Sequence, residues 1–172
     1  MIPKKIHYVW VGQQSKPESV LTCIESWKKY FPDHEIIEWN NNTLKDINNQ
    51  YAEEAFAAKK WAFVSDYLRL YALYHHGGIY LDTDVIITSK FPHAILEPYK
   101  NIQAYPMTAV IGARPYNKII KGLLNSYDKT SFIKFNGELN LTQNPHRFAQ
   151  FFLKNFDLKY PYPKDNIIEL NK

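Results

Sequence analysis

The chain has 172 residues, 45% hydrophobic and 16% aromatic, with a net charge of +4. Such a composition fills a core and excludes a disordered chain, and the length fits one domain over residues 1–172. Only three of the 21 basic residues are arginine (Arg69, Arg114, Arg147) and the lysines are scattered; no basic cluster interleaved with stacking aromatics points to nucleic acid, and the charge leaves room only for peripheral attraction to an anionic membrane or a phosphorylated ligand.

The chain opens on Met1-Ile2-Pro3-Lys4-Lys5, without a signal-peptide pattern. No apolar run approaches ~18 residues. The expectation is a cytoplasmic protein, at most peripheral at the inner membrane face. Ile6–Val11 reads as a buried strand ended by Gly12. Pro17 opens a helix to about Tyr30, with Val20, Leu21, Ile24 and Trp27 as its apolar stripe. The single cysteine, Cys23, lies in that helix and reads as a small core residue; alone it makes neither a disulfide nor a Cys-based metal site.

Glu35–Trp39 is a second strand. Asn40–Thr43 is a polar loop, with Asn42 or Thr43 as the cap of a helix reaching about Ala58. Lys59–His76 is the strongest helix, apolar on more than one face through Trp61, Val64, Leu68, Tyr71 and Leu73. Gly77-Gly78 stops it. Ile79–Leu81 is a short strand, followed by Asp82-Thr83-Asp84 and a strand-like Val85–Thr88. Strands are expected over 101–105 and 108–113, helices over 117–127 and 145–155, and an extended tail from Tyr160. Strands alternate with helices, which gives an α/β class with a mostly parallel sheet flanked by helices.

Asp82 and Asp84 are the residues that ask for an explanation. Two apart on a strand, they share a side. Two converging carboxylates repel unless a proton or a cation lies between them. Mg²⁺ or Mn²⁺ resolves this, because each takes oxygen ligands and bridges phosphates. The pair also sits at the carboxyl end of a strand, where open α/β sheets bind ligands. A bare D-x-D occurs by composition in roughly half of chains this long, so the surroundings decide. In the helix upstream, Asp66 and Arg69 are three apart and share a face. If that face looks into the same cleft, Asp66 accepts from sugar hydroxyls and Arg69 offers its fork to a phosphate or a hydroxyl pair; otherwise the two form a self-contained ion pair. The histidines read as structural. His75 and His76 suit a helix C-terminus as partly charged imidazoles, His7, His34 and His93 show no partner pattern, and no zinc-binding spacing occurs.

"KIHYVWVG" (Lys5–Gly12), "PESVLTCIESWKKYFPDHEIIEWN" (Pro17–Asn40) and "WAFVSDYLRLYALYHHGGIYLDTDV" (Trp61–Val85) together resemble the glycosyltransferase family that bears the DXD sugar-binding motif. That family includes yeast initiating mannosyltransferase-like proteins and bacterial capsular and lipopolysaccharide glycosyltransferases, with the glucosylating domains of large clostridial toxins more distant. The resemblance covers about half the chain, up to Thr88. It implies a GT-A type, Rossmann-like fold, a UDP- or GDP-linked sugar donor, a divalent metal, retention at the anomeric carbon and a saccharide or lipid-linked acceptor. By the same resemblance Asp84 ligates the metal directly, and Asp82 holds the ribose and helps bind the metal. Asp66 and Arg69 hold the donor sugar, and Trp10 stacks on the base in a pocket lined by the Val9 and Val11 backbone. An aromatic at a strand's carboxyl end suits a flat base on physical grounds as well.

The bacterial-looking matches point to surface polysaccharide synthesis. Family members carry a C-terminal His- or Trp-containing segment that closes over the diphosphate; none is found before Lys172, so donor binding is the firmer expectation than turnover. Asn144-Pro145-His146 resembles an acceptor-side loop. Two rivals remain. One is a donor-binding remnant without turnover. The other is a haloacid dehalogenase-type phosphatase, which "IYLDTDV" also resembles, but that reading wants the motif near the start of the domain and a later acidic pair.

Overall fold

The computed structural model describes residues 1–12, 14–89 and 108–155. The elements run β1 (Lys5–Val9), α1 (Glu18–Tyr30), β2 (Glu35–Trp39), α2 (Asn41–Lys45), α3 (Gln50–Ala57), α4 (Trp61–His76), β3 (Gly78–Leu81), β4 (Val110–Ala113), α5 (Lys118–Asp128) and α6 (Asn144–Asn155). The sheet order is β2-β1-β3-β4. β1 pairs in parallel with β2 and with β3, and only β3–β4 is antiparallel. The mostly parallel α/β expectation holds.

β1 is covered on both faces, as a central strand of a parallel sheet should be. Ile6 and Tyr8 pack with Val20, Cys23, Ile24 and Trp27 of α1. Val9 joins the larger core built on α3, α4 and α5. The α1 stripe therefore uses Cys23 where Leu21 was expected; Leu21 is 43% exposed. The pattern i, i+3, i+4, i+7 starting from Val20 passes through 23, 24 and 27 and leaves residue 21 about 100° off the buried face.

Asn40, not Asn42 or Thr43, caps α2. Its side chain accepts from the Asn42 and Thr43 backbone N–H groups, and the Thr43 hydroxyl accepts from the Asn40 N–H in return. The expected single helix to Ala58 is broken because Asn49 caps a new one, accepting from the Ala52 N–H at 3.0 Å. Asparagine competes for backbone groups in this way, so Asn40 and Asn49 punctuate the chain.

Gly77 and Gly78 turn α4 into β3 with φ of +63° and +105°. A Cβ on Gly77 would lie 2.5 Å from Pro115 Cδ, and one on Gly78 would lie 2.6 Å from the Lys5 carbonyl oxygen. Both positions therefore need glycine for space as well as for backbone angle. At the end of α4, His75 and His76 stay exposed, but partial desolvation and then neighbouring cationic groups lower their pKa. The charged imidazoles expected there are disfavoured. His7, for which no partner was expected, is fully buried: it donates from Nε2 to the Gly77 carbonyl at 2.7 Å and accepts from Trp39 Nε1 at 3.1 Å on Nδ1. Burial pushes its pKa down to about 4, so it stays neutral.

Val85–Thr88 is not a strand. Its backbone is taken by α1 instead: Trp27 Nε1 donates to the Val85 carbonyl at 2.7 Å, and the Ile87 N–H donates to Ser26 Oγ at 3.0 Å. The strand expected over 101–105, the tail from Tyr160 and His93 lie outside the described residues. Among the described residues no helix is long and apolar enough to cross a membrane.

Candidate active site

α4 runs antiparallel to β3, so its first half lies at the carboxyl ends of β1 and β3. Three of the expected residues, Asp66, Arg69 and Asp82, meet there. Trp10 follows β1 directly and is half-buried; its N–H donates to the Trp39 carbonyl at 2.8 Å and its indole N–H to the Gln14 carbonyl at 3.0 Å. Val9 and Val11 turn their side chains into the α4-side core, which leaves their backbone at the strand end. The loop after β1 is strapped down twice by Asn41, once to the Gly12 N–H and once to the Gly12 carbonyl, each at 2.8 Å. Gly12 itself rests on the Trp61 indole.

Strand geometry does not carry through the aspartate pair. β3 closes at Leu81, and Asp82–Val85 form a turn closed by the Val85 N–H donating to the Asp82 carbonyl at 3.1 Å. Strand alternation therefore does not aim the two carboxylates. Asp82 turns inward toward Arg69, while Asp84 is exposed.

Arg69 is 5% exposed and every N–H direction of its guanidinium is used. Nη1 donates to the Thr108 carbonyl at 2.7 Å and to Asp82 Oδ2 at 3.4 Å. Nη2 lies 3.1 Å from both Asp66 Oδ1 and Asp82 Oδ1 and 3.2 Å from Ser65 Oγ. Nε donates to the Ser65 carbonyl at 3.3 Å. Burial works against its charge, but Tyr80, Asp66 and Asp82 outweigh it and hold the pKa above the ordinary value. The fork expected to face a ligand is thus spent on the protein: Arg69 orients Asp82.

Asp66 is 8% exposed. Its Oδ2 accepts the backbone N–H of Asn144, the first residue of α6, at 3.1 Å. Burial pushes its pKa up to about 6, against the opposing pull of Arg69 and the Asn144 N–H. In this arrangement Asp66 ties α4 to α6, and a sugar hydroxyl would have to share its carboxylate.

Three more residues complete the network: Tyr80 and Ser65, which the sequence pattern did not single out, and Asn144, which it named only within an expected acceptor-side loop. Tyr80 donates to Asp82 Oδ1 at 2.8 Å, its oxygen lies 2.9 Å from Ser65 Oγ, and its ring lies under the Arg69 guanidinium. Asn144, fully buried, accepts from Tyr127 OH at 3.0 Å. Tyr80 was within reach of a pattern argument, since it precedes Asp82 by two, and Ser65 precedes Arg69 by one helical turn. Asn144 was not, being 78 residues from Asp66.

The electrostatic outcome is lopsided. Two carboxylates, Asp66 and Asp82, gather around one guanidinium, and a third, Asp84, lies exposed two residues beyond Asp82 with no cation of the protein beside it among the described residues. This is where a cation, and through it a polyphosphate, is favoured.

A family model described as "glycosyltransferase sugar-binding region containing DXD motif" matches residues 17–104, half of the chain. The chain belongs to this family. The match takes in Asp66, Arg69, Asp82 and Asp84, while Val9, Trp10 and Val11 lie ahead of it. Among relatives, the chain is 27% identical over 157 residues to the uncharacterized glycosyltransferase L373 of Acanthamoeba polyphaga mimivirus, covering 84% of this chain and 61% of that one. It is 30% identical over 125 residues to the subversion of eukaryotic traffic protein A of Legionella pneumophila, covering 57% and 19%. It is 29% identical over 92 residues to inositol phosphoceramide mannosyltransferase 3 of Schizosaccharomyces pombe, covering 49% and 24%. The chain therefore spans between 19% and 61% of the length of these relatives. A solved glycosyltransferase, PaToxG, shares the fold with a TM-score of 0.64 at 22% identity, over 91% of this chain and 70% of that one. The GT-A-like architecture expected of a DXD glycosyltransferase is the one observed.

Proposed function

We propose that residues 1–172 act as one metal-dependent, retaining glycosyltransferase unit that moves a sugar from a UDP- or GDP-linked donor to a saccharide or lipid-linked acceptor. The observation that carries this reading is the network in which Arg69, Tyr80 and Ser65 fix Asp82 while Asp84 is left exposed at the carboxyl end of the strands. Family membership supports sugar transfer as the chemistry. The name of the yeast mannosyltransferase, which specifies inositol phosphoceramide, supports a lipid-linked acceptor as one form. Surface polysaccharide synthesis at the cytoplasmic face of a membrane is the setting we assign.

The residues fit Mg²⁺ or Mn²⁺. Such ions take one or two protein carboxylates and complete their shell with diphosphate oxygens and water. Among the described residues no group of three or more His, Cys, Asp or Glu makes an all-protein cage, which agrees with a metal shared with the donor. Asp84 would ligate it directly and Asp82, already held by Arg69, would support it or hold the ribose. When bound, the metal supplies Lewis-acid stabilisation of the charge that grows on the departing diphosphate.

The chain's own groups do the rest. Trp10 offers a face for the base at the end of β1. Arg69, saturated and buried, keeps Asp82 from swinging as charge builds. Asp66 lies beside them at the boundary with α6, where the donor sugar is placed. The transition state is oxocarbenium-like by analogy with glycoside hydrolysis. Retention follows if the acceptor enters on the leaving-group side, which needs no protein nucleophile.

A second reading, a donor-binding unit without turnover, is favoured by the commitment of Arg69 and Asp66 to contacts within the protein, which leaves neither free to act on the donor. Calorimetric titration with UDP- and GDP-sugars, with and without Mn²⁺, tests the donor site in both readings. One donor should bind in a manner that needs both the metal and Asp84; binding that survives Asp84→Ala unchanged would remove the site. Assaying released nucleoside diphosphate then separates transfer or donor hydrolysis from binding alone.

A further inference from the structure

The end of the sheet away from the candidate site carries a cluster of unanswered positive charge. β4 finishes beside the start of β3, with Ala113 opposite Gly78, and passes into α5 through residues 114–117. This turn and the start of α5 bear Arg114, Lys118 and Lys121, and none of the three has an acidic partner among the described residues. The acids at the same end are already taken: Asp33 lies 3.6 Å from Lys4 and Glu35 lies 3.9 Å from Lys5. We infer that this basic turn is a docking surface for an anionic lipid bilayer, an assignment that rests on the membrane setting of the glycosyl-transfer reading.

The turn is built at a local cost. Lys118 and Lys121 stand at a helix start, where acids are favoured, and α5 has no acid in its first turn. Tyr116 holds φ at +59°, a left-handed angle that is strained for an aromatic residue. The angle is held firmly. The Tyr116 N–H donates to the Tyr74 carbonyl at 2.7 Å, and Pro115 fills the space that a Gly77 side chain would need. The strained residue nevertheless leaves its ring 68% exposed. Arg114, Tyr116 and Lys118 alternate as the exposed positions, with Pro115 and Asn117 half-buried between them. Lys121 adds an ammonium 5.0 Å from the Tyr74 ring centroid, and that ring meets Tyr116 edge-on at 5.6 Å. A bilayer surface answers both features. A tyrosine ring settles at the depth of the headgroups, while lysine and arginine reach lipid phosphates over their flexible stems. Point charges spread along a turn suit dispersed phosphates better than the fixed carboxylates of a protein partner. Docking by this end leaves Asp84, at the carboxyl ends of the strands, facing solvent.

The test is co-sedimentation of the whole chain with lipid vesicles, without donor or metal. Phosphatidylcholine vesicles should leave the chain in solution. Vesicles with about one third phosphatidylserine should pellet it, and raising the salt from about 0.05 to 0.5 M should release it. Lys118→Gln with Lys121→Gln should weaken binding about 25-fold, at about fivefold for each cation. Tyr116→Gly suits the +59° angle, so it removes the ring while relieving strain, and it too should weaken binding. An unchanged melting temperature shows that the lysine variant is folded. The control removes the same charge elsewhere, as Lys59→Gln with Lys60→Gln. The sixteen residues of α4 hold those lysines about 24 Å from the turn, beyond the ~10 Å Debye length, and binding should stay within about twofold. Equal weakening by the two pairs would reduce the effect to net charge and overturn the proposal. Equal pelleting by both kinds of vesicle, or by neither, would overturn it too. Binding to poly-glutamate but not to anionic vesicles would give the turn to an acidic protein, again overturning it. No nucleotide is present, so the outcome is separate from the calorimetric titration: failure there removes the donor site, and failure here removes the docking surface.

Discussion

At the scale of single residues, Arg69 is where the ligand expectation and the geometry part. A guanidinium facing a ligand keeps donors free, whereas this one spends them on Asp66, Asp82, Ser65 and Thr108. Arg69→Lys should therefore cost stability, about 3 kcal/mol, because a point charge cannot span both carboxylates and one of them is left buried and uncompensated. Urea unfolding measures this; unchanged stability with weakened donor binding would restore the ligand role. Asp66 makes a second prediction. Its pKa is raised to about 6, first by burial, against an ordinary value near 3.9. Folding then favours the protonated form, so the stability linked to this group is fully present below the ordinary carboxylate value and is lost as the pH rises through about 6. A carboxyl carbon titration should place the Asp66 midpoint near 6. A midpoint near 4 would mean that Arg69 and the Asn144 N–H outweigh burial.

Among the elements, the hinge between α4 and β3 sets where the aspartates fall. Gly78 has φ +105° and its absent Cβ would meet the Lys5 carbonyl at 2.6 Å, whereas Gly137 has φ +83° with nothing within 4 Å. Gly78→Ala should cost about 3 kcal/mol, and Gly137→Ala only about 1 kcal/mol, the cost of the angle alone. Equal midpoints in urea would show that β1 yields to the added methyl. This hinge is legible in the amino-acid sequence, because a glycine pair after a long apolar helix and ahead of a short apolar strand has few other meanings. So are the α/β alternation and the parallel core, since β1 and α4 carry their burial in their spacing. What spacing does not reveal depends on contacts between distant segments. The strand-like Val85–Thr88 loses its pairing to hydrogen bonds from α1, His7 finds Gly77 seventy residues away, and Asp66 is claimed by Asn144. Period-two alternation through Asp82 and Asp84 is a sound inference for a strand that continues; a turn intervenes, and it sends one carboxylate inward and the other to solvent.

For the molecule as a whole, the division of labour between those two carboxylates can be read through stability. Asp82 is part of the folded network, while Asp84 is exposed. Asp84→Ala should leave the stability of the free chain unchanged within about 0.5 kcal/mol, as for a surface substitution. With Mn²⁺ and UDP or GDP at about a hundred times the dissociation constant, the unaltered chain gains about 2.7 kcal/mol, which raises the melting temperature by roughly 5–10 °C. The Asp84→Ala chain should show little of that rise. Mn²⁺ alone should give a smaller rise than metal and nucleotide together, because two carboxylates leave most of the metal's shell to the diphosphate. An equal rise in both chains would put the nucleotide at a site that does not use the exposed aspartate, and the surplus of negative charge at the strand ends would then have to be answered by something other than a bound cation.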